Sequence, residues 1–316
     1  MSVLRVHHLN CGSMCPAGAA LFPSVFPRTI VCHCLLIETS TKLILVDTGF
    51  GLRDIEKPSR LGLTRFTLGP LLRREETAFE QVRALGYTPG DVTDVIPTHL
   101  DLDHAGGIQD FPSARIHIER RELAAAKARS GYFHRSRYRP SQISGEIKWT
   151  EYDISQGEKW NNFDCVREIN GLPPEILLIG LHGHSPGHIG VAVTDSSHTL
   201  LHAGDAYYHH NELRAGTRAP AGLRAFQKIV HDDYAAAMST QASLAQLRAH
   251  ETAAGSAGVA RGRGGDALVT DRTHLAAGGP DAVNSGAGVD STKLEIFCSH
   301  DPLELTRALR NTSSLS

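Results

Sequence analysis

The stretch Thr98-His99-Leu100-Asp101-Leu102-Asp103-His104-Ala105-Gly106-Gly107 constrains this chain more than any other. It follows an apolar run, Val92 to Pro97, that reads as a short buried strand, and a Gly pair stops it before a helix can begin. Four side chains with lone pairs to give, His99, Asp101, Asp103 and His104, therefore crowd one tight loop at the carboxyl end of a strand. Packing two imidazoles and two carboxylates there desolvates negative charge, which costs several kcal/mol unless a cation neutralises it. Imidazole with carboxylate is the ligand set of a borderline divalent metal, zinc foremost, with manganese or iron also suited. An Asp-rich turn capping the next helix would need one Asp and has no role for two His.

The pattern repeats downstream. The apolar run Ile176 to Leu181 ends at His184, the hairpin Ile189–Thr194 and His198–Leu201 leads into Asp205, and the strand Leu294–Cys298 leads into His300. Polar residues at the carboxyl ends of successive strands, facing one crevice, are what a sheet-based active site requires. The loop His99-x-Asp101-x-Asp103-His104 resembles the His-x-His-x-Asp-His signature of the metallo-β-lactamase superfamily, with Asp101 in place of the second His. His184 in Gly183-His184-Ser185-Pro186-Gly187-His188, Asp205 in His202-Ala203-Gly204-Asp205-Ala206 and His300 in Phe297-Cys298-Ser299-His300 are similar to the remaining ligand motifs, in order. Leu43 to Gly49 looks like the family's early strand and its Asp-Thr-Gly turn, with Asp47 placed to hold ligands from behind.

The resemblance implies a four-layer αββα sandwich, two β-sheets packed face to face with helices outside. It implies two divalent metal ions: His99, Asp101 and His184 around one, Asp103, His104 and His300 around the other, and Asp205 between them. A bridging hydroxide would then attack a carbonyl carbon. Asp101 in place of His hardens the first site, and Asp101→His is expected to give a working enzyme with altered metal preference. Asp103 and Tyr208 are the candidate catalytic residues. Tyr208 stands three residues after Asp205, where the N-acyl homoserine lactonase-like branch uses a Tyr to hydrogen-bond the substrate carbonyl or the leaving alkoxide. The expected function is opening a lactone or related ester. A thioester hydrolase resembling glyoxalase II, a phosphodiesterase, and a non-catalytic binding module with a degraded metal site are the alternatives.

A chain of 316 residues suffices for one large domain, and we expect a single domain over 1–316 with a flexible Gly/Ala-rich insertion at 252–291. The net charge of −2 predicts no general attraction to nucleic acid or membrane, so a small molecule is the expected partner. No apolar run approaches the roughly 20 residues that span a bilayer, and the first residues lack a basic-then-apolar signal layout, which predicts a cytoplasmic protein. The six cysteines do not form the paired spacings of a zinc site or disulfide scaffold, although Cys11 and Cys15 bracket a turn where a disulfide is conceivable. The oligomeric state is not legible in the sequence.

Along the chain, Leu4 to Leu9 reads as a strand and Asn10 to Arg28 as a loop whose Met14, Leu21, Phe22, Val25 and Phe26 suit either a wall over the metal site or ordinary packing. Thr29–Glu38 and Leu43–Asp47 read as a hairpin, 50–72 as irregular, and Glu75–Leu85 as a helix. Ala114–Glu119 reads as a strand, with helices at Arg120–Ala128, Tyr234–Leu247 and Pro302–Arg310. Eight basic residues from Arg115 to Arg139, interleaved with Tyr132, Phe133 and Tyr138, read as a solvated face.

Overall fold

Strand residues alternate sides, so a strand that is apolar at every position must be covered on both faces. Leu43–Val46 is such a strand: Leu43 and Leu45 enter one core cluster, Ile44 and Val46 another. The computed structural model describes residues 2–22, 24–196, 198–261 and 293–313. It shows two six-stranded sheets. The first runs, in spatial order, β1 (Val3–Met14), β2 (Ile30–Thr39), β3 (Leu43–Val46), β4 (Val92–Ile96), β5 (Arg115–Glu119) and β6 (Lys148–Tyr152), antiparallel as far as β3 and parallel from there. The second contains β7 (Glu158–Trp160), β8 (Phe163–Val166), β9 (Ile176–Gly180), β10 (Ile189–Thr194), β11 (His198–His202) and β12 (Lys293–Phe297) in reverse spatial order, antiparallel except for the β11–β12 pair.

The helices are α1 (Leu52–Glu56), α2 (Thr64–Leu68), α3 (Ala78–Ala84), α4 (Arg120–Ala128), α5 (Gly131–Arg137), α6 (Ala221–Val230), α7 (Tyr234–Arg261) and α8 (Pro302–Ser313). Three apolar layers hold these parts together. Ile37, Ile44, Val46 and Ile96 meet Ile176, Leu178, Val191 and Phe297 between the sheets. Val82 of α3 and Leu123 of α4 cover Leu36, Leu45 and Ile116 on the outer face of the first sheet. Leu244 and Leu247 of α7 cover Leu177, Ile179 and Leu201 on the outer face of the second. The result is the αββα sandwich.

Several boundaries differ from the sequence reading. β1 continues to Met14, because its partner β2 supplies hydrogen bonds as far as Ile30 across a bulge. Residues 50–72 form α1, a 3₁₀ turn at Pro58–Leu61 and α2, each too short to show a period in the sequence. The helix from Tyr234 runs on to Arg261, so the first ten residues of the expected insertion are helical. Residues 262–291 of that insertion lie outside the described residues. All six cysteines are free, and Cys32 and Cys34 are buried as small apolar residues. No helix among the described residues is long and apolar enough to cross a membrane.

Candidate metal centre

Asp47, Thr98–His104, His184, Asp205 and His300 all follow the carboxyl ends of strands, at the edge where the two sheets meet. Two backbone bonds stitch that edge: the Ile189 amide donates to the Thr98 carbonyl at 3.0 Å, and the His33 amide to the Ser299 carbonyl at 2.8 Å. The first sheet thereby contributes His99, Asp101, Asp103 and His104, and the second contributes His184, Asp205 and His300. Gly204 sets the approach of Asp205. Its φ of +54° is left-handed, and a Cβ there would stand 2.6 Å from His188 Nε2.

The donors gather into two clusters. In the first, Asp101 Oδ2 lies 3.1 Å from His184 Nε2 and 3.4 Å from His99 Nε2, while Asp205 Oδ2 lies 3.6 and 3.9 Å from the same two nitrogens. In the second, Asp205 Oδ1 lies 3.3 Å from His104 Nε2 and 3.2 Å from His300 Nε2. Those nitrogens are 3.3 Å apart, and Asp103 Oδ2 is 3.6 Å from the latter. Ligands on a tetrahedral metal at 2.0–2.2 Å are separated by about 3.3–3.6 Å. The two oxygens of Asp205 thus face one cluster each.

Hydrogen bonds behind the rings turn their lone pairs inward. His104 Nδ1 donates to Asp47 Oδ2 at 2.8 Å and His300 Nδ1 to the Val31 carbonyl at 2.7 Å. The Thr98 hydroxyl donates to Asp47, so His99 Nδ1 donates to Thr98 Oγ1 at 3.0 Å. Asp47 holds these groups from a left-handed conformation, φ +58°, that Asp tolerates better than most residues. Buried His99 Nε2 and Asp205 Oδ1 are left with no hydrogen-bond donor. Burial alone would lower His104 and His300, but the carboxylates, Asp205 first, outweigh it and hold both imidazoles up. Facing lone pairs, orphaned buried acceptors and tetrahedral spacings fit a cation in each cluster.

Residues 28–255 match the profile described as Metallo-beta-lactamase superfamily. The chain belongs to that superfamily. It is 38% identical over 249 residues to a protein of Mycobacterium bovis named a probable metallo-hydrolase, covering 78% of this chain and 77% of that one. It is 31% identical over 179 residues to an N-acyl homoserine lactonase of Bacillus thuringiensis, covering 55% of this chain and 63% of the lactonase. The fold is shared with a solved N-acyl homoserine lactone hydrolase bound to N-hexanoyl-L-homoserine, at TM-score 0.61, 21% identity and 97% coverage of both chains. Superfamily members use divalent metals, and the match supports a metal-dependent hydrolase.

Against that background the departure at Asp101 acquires a cause. Arg137, at the end of α5, places Nη1 at 3.0 and 2.9 Å from the two Asp101 oxygens and 2.9 Å from His184 Nε2, and Nη2 donates to the Val230 carbonyl. Burial alone would raise the Asp101 carboxyl, but Arg137 and then His99 hold it well below the usual range. The basic run is therefore not one solvated face. Arg115 pairs with Asp94, Arg121 with Glu119, Arg139 reaches Thr64, and Arg137 is drawn inside.

Tyr208 is buried beside the clusters. Its ring lies parallel to that of His300, 5.5 Å between centroids, and its hydroxyl is 3.1 Å from His184 Nδ1. Burial, and then Asp205, push the phenol well above its ordinary value, so it stays a donor. Above the clusters opens a cavity of about 510 Å³. Its floor includes Asp103 and Tyr208, and its walls include Phe26, Leu68, Phe133, Leu223 and Phe226. Both readings open in the sequence for the stretch Asn10 to Arg28 are met: Met14, at the end of β1, is core, whereas Phe26, in the loop that follows, walls the cavity.

His188 donates from Nδ1 to the Leu181 carbonyl and accepts from the Asp205 amide at 2.9 Å, and so supports Asp205 from behind. His202 Nε2 donates to the His33 carbonyl, and His210 to Asp301. Sequence reasoning missed three residues. Arg137 looked like its basic neighbours, and His231, whose Nδ1 is 3.2 Å from His184 Nδ1, carried no signal. Glu122 did carry one, as an acid on the helix face shared with Leu123 and Ala126. It accepts from the Leu100 amide at 3.0 Å, the Ser185 hydroxyl at 2.7 Å and the Gly187 amide at 3.0 Å, pinning the first His/Asp loop to the His184 loop. Glu122→Ala strands three buried donors at roughly 1–3 kcal/mol each. Thermal unfolding should show a loss of at least about 3 kcal/mol, with Glu122→Gln intermediate. An Ala variant as stable as the parent would mean that water replaces the carboxylate.

Proposed function

We propose that the protein is a hydrolase of lactones or related carboxylic esters that carry an apolar acyl group. The observation that carries this is Tyr208, a buried phenol directed beside two His/Asp clusters on the floor of a cavity with apolar walls. The similarity to the Bacillus thuringiensis lactonase supports it. In this reading His99, Asp101, His184 and Asp205 hold one metal, and Asp103, His104, His300 and Asp205 the other. Two divalent metals, zinc foremost, would polarise a carbonyl oxygen and bring the pKa of a water toward neutrality.

The protein's own groups do the rest. A His184 that gives its Nε2 lone pair carries its proton on Nδ1 and donates it to Tyr208 Oη, which leaves the phenol's proton for the substrate. Tyr208 then donates to the oxygen on which charge develops. As water adds to the carbonyl carbon and the bond to the ring oxygen breaks, Asp103, which lines the cavity, accepts the proton that the water sheds and returns it to the departing alkoxide. Phe26, Phe133 and Phe226 exclude solvent from the acyl group.

Elemental analysis of protein purified without added metal should find about two equivalents of divalent metal, and chelation should lower both activity and melting temperature. A screen of lactones, thioesters and phosphodiesters against that protein tests the substrate class. Preference for thioesters would move the assignment to the glyoxalase II-like alternative. Less than about half an equivalent of metal with no hydrolysis would leave only a binding role.

A further inference from the structure

The two clusters are not equivalent. Around the second, each imidazole is tied through Nδ1 and its Nε2 meets only carboxylate and the other ring. In the first, one Nε2 faces a permanent cation. His184 has a single lone pair on Nε2, and a guanidinium has protons to give and none of its own lone pairs to share. With Arg137 Nη1 at 2.9 Å, that lone pair accepts from Arg137, and the same lone pair is the one a first-cluster metal would need. Asp101 has no such conflict, because Oδ1 can stay with Arg137 while Oδ2 faces the cluster. The guanidinium also has other holds: its carbon sits 5.1 Å from the Phe133 ring centroid, and Nη2 keeps the Val230 carbonyl. It is the one Lys or Arg among the described residues lining the cavity.

We propose that Arg137 competes with metal for His184 Nε2, so that the second cluster loads first and tightly, and the first loads last, only as the guanidinium withdraws onto Asp101 Oδ1. This rests on the reading that the clusters bind two metals. It makes occupancy of the first cluster, and not of the site as a whole, the step that responds to metal supply.

The test is an equilibrium titration of the metal-free full chain with zinc, read by competition with a chromophoric chelator and by bound stoichiometry after gel filtration. The parent should show two resolved steps. Arg137→Met keeps the stem and removes the charge, and should tighten the second step by about tenfold or more while leaving the first unchanged. Arg137→Lys keeps a cation and should keep the steps apart. Two equal steps in the parent would overturn the proposal without any variant. So would an Arg137→Met variant whose second step is weaker or unmoved, since Arg137 would then be supporting the ligands. Absence of zinc binding in the parent would instead remove the two-metal reading beneath it.

Discussion

Asp101→His will be less stable than the parent by about 3 kcal/mol and will load less metal at the first cluster. Read from the sequence alone, the change restores the family's ligand set and is expected to give a working enzyme with altered metal preference. The structure shows a second task for the carboxylate. Arg137's side chain is 5% exposed and Asp101 is the only carboxylate at ion-pair distance from it among the described residues, itself only 19% exposed. Removing one partner of a buried pair costs about 3–5 kcal/mol, chiefly because a charge is left uncompensated. Partial exposure of Asp101 puts the expectation at the lower end. The incoming imidazole would also join His99 and His184 around an unpaired guanidinium. The double variant Asp101→His with Arg137→Met should recover most of the stability, because it removes the stranded charge together with its partner. Chemical denaturation of the three proteins, with metal analysis of each, measures this. A single variant with parental stability and full metal would show that Arg137 finds another acceptor at no cost.

Tyr208→Phe should lower turnover of a lactone by about a hundredfold, the lower end of what one preorganised donor contributes. The metals would share the same developing charge, which is why the lower end is expected. Metal content should not change, since the hydroxyl meets His184 at Nδ1 and not at Nε2. Stability should move little, because the ring keeps its place over His300 and against Phe226. The loss should depend on the leaving group. A lactone's alkoxide departs poorly and needs the proton, whereas an activated aryl ester departs without help. Equal turnover by variant and parent, on a lactone that the parent hydrolyses, would exclude Tyr208 from this role.

The candidate donors were legible in the sequence because each follows an apolar run that can only be a buried strand. Strand end and metal-type residue fall together at His99, His184, Asp205 and His300, while the sandwich itself was what the resemblance to the superfamily implied. The edge strands β6 and β7 were not legible, unlike β1 and β12 at the opposite edges. β6 and β7 contain Lys148, Glu151, Glu158 and Lys159 and have little apolar alternation, because these sheet edges are partly solvated, and β8 is only four residues long, too short to show a period. α6 does carry a helical period, through Leu223, Phe226 and Val230, which frame the cavity and its Arg137 anchor. What no pattern in the chain could give is the pairing of Arg137 with Asp101. They are 36 positions apart, and only the turn from α4 into α5 brings them together.

The parallel pairing of β12 with β11 governs the order in which the site can be assembled on a ribosome. Donors from the first sheet emerge within the first third of the chain, while His300 emerges nearly two hundred residues later. His300 is held by the carbonyl of Val31, a contact of 269 residues' separation. Until β12 docks, His104 and Asp205 lack their third neighbour and the seam between the sheets is open on that side. Contacts of such long range close slowly. The nascent protein therefore passes through a stage in which its most charged interior is complete in sequence but not yet sealed.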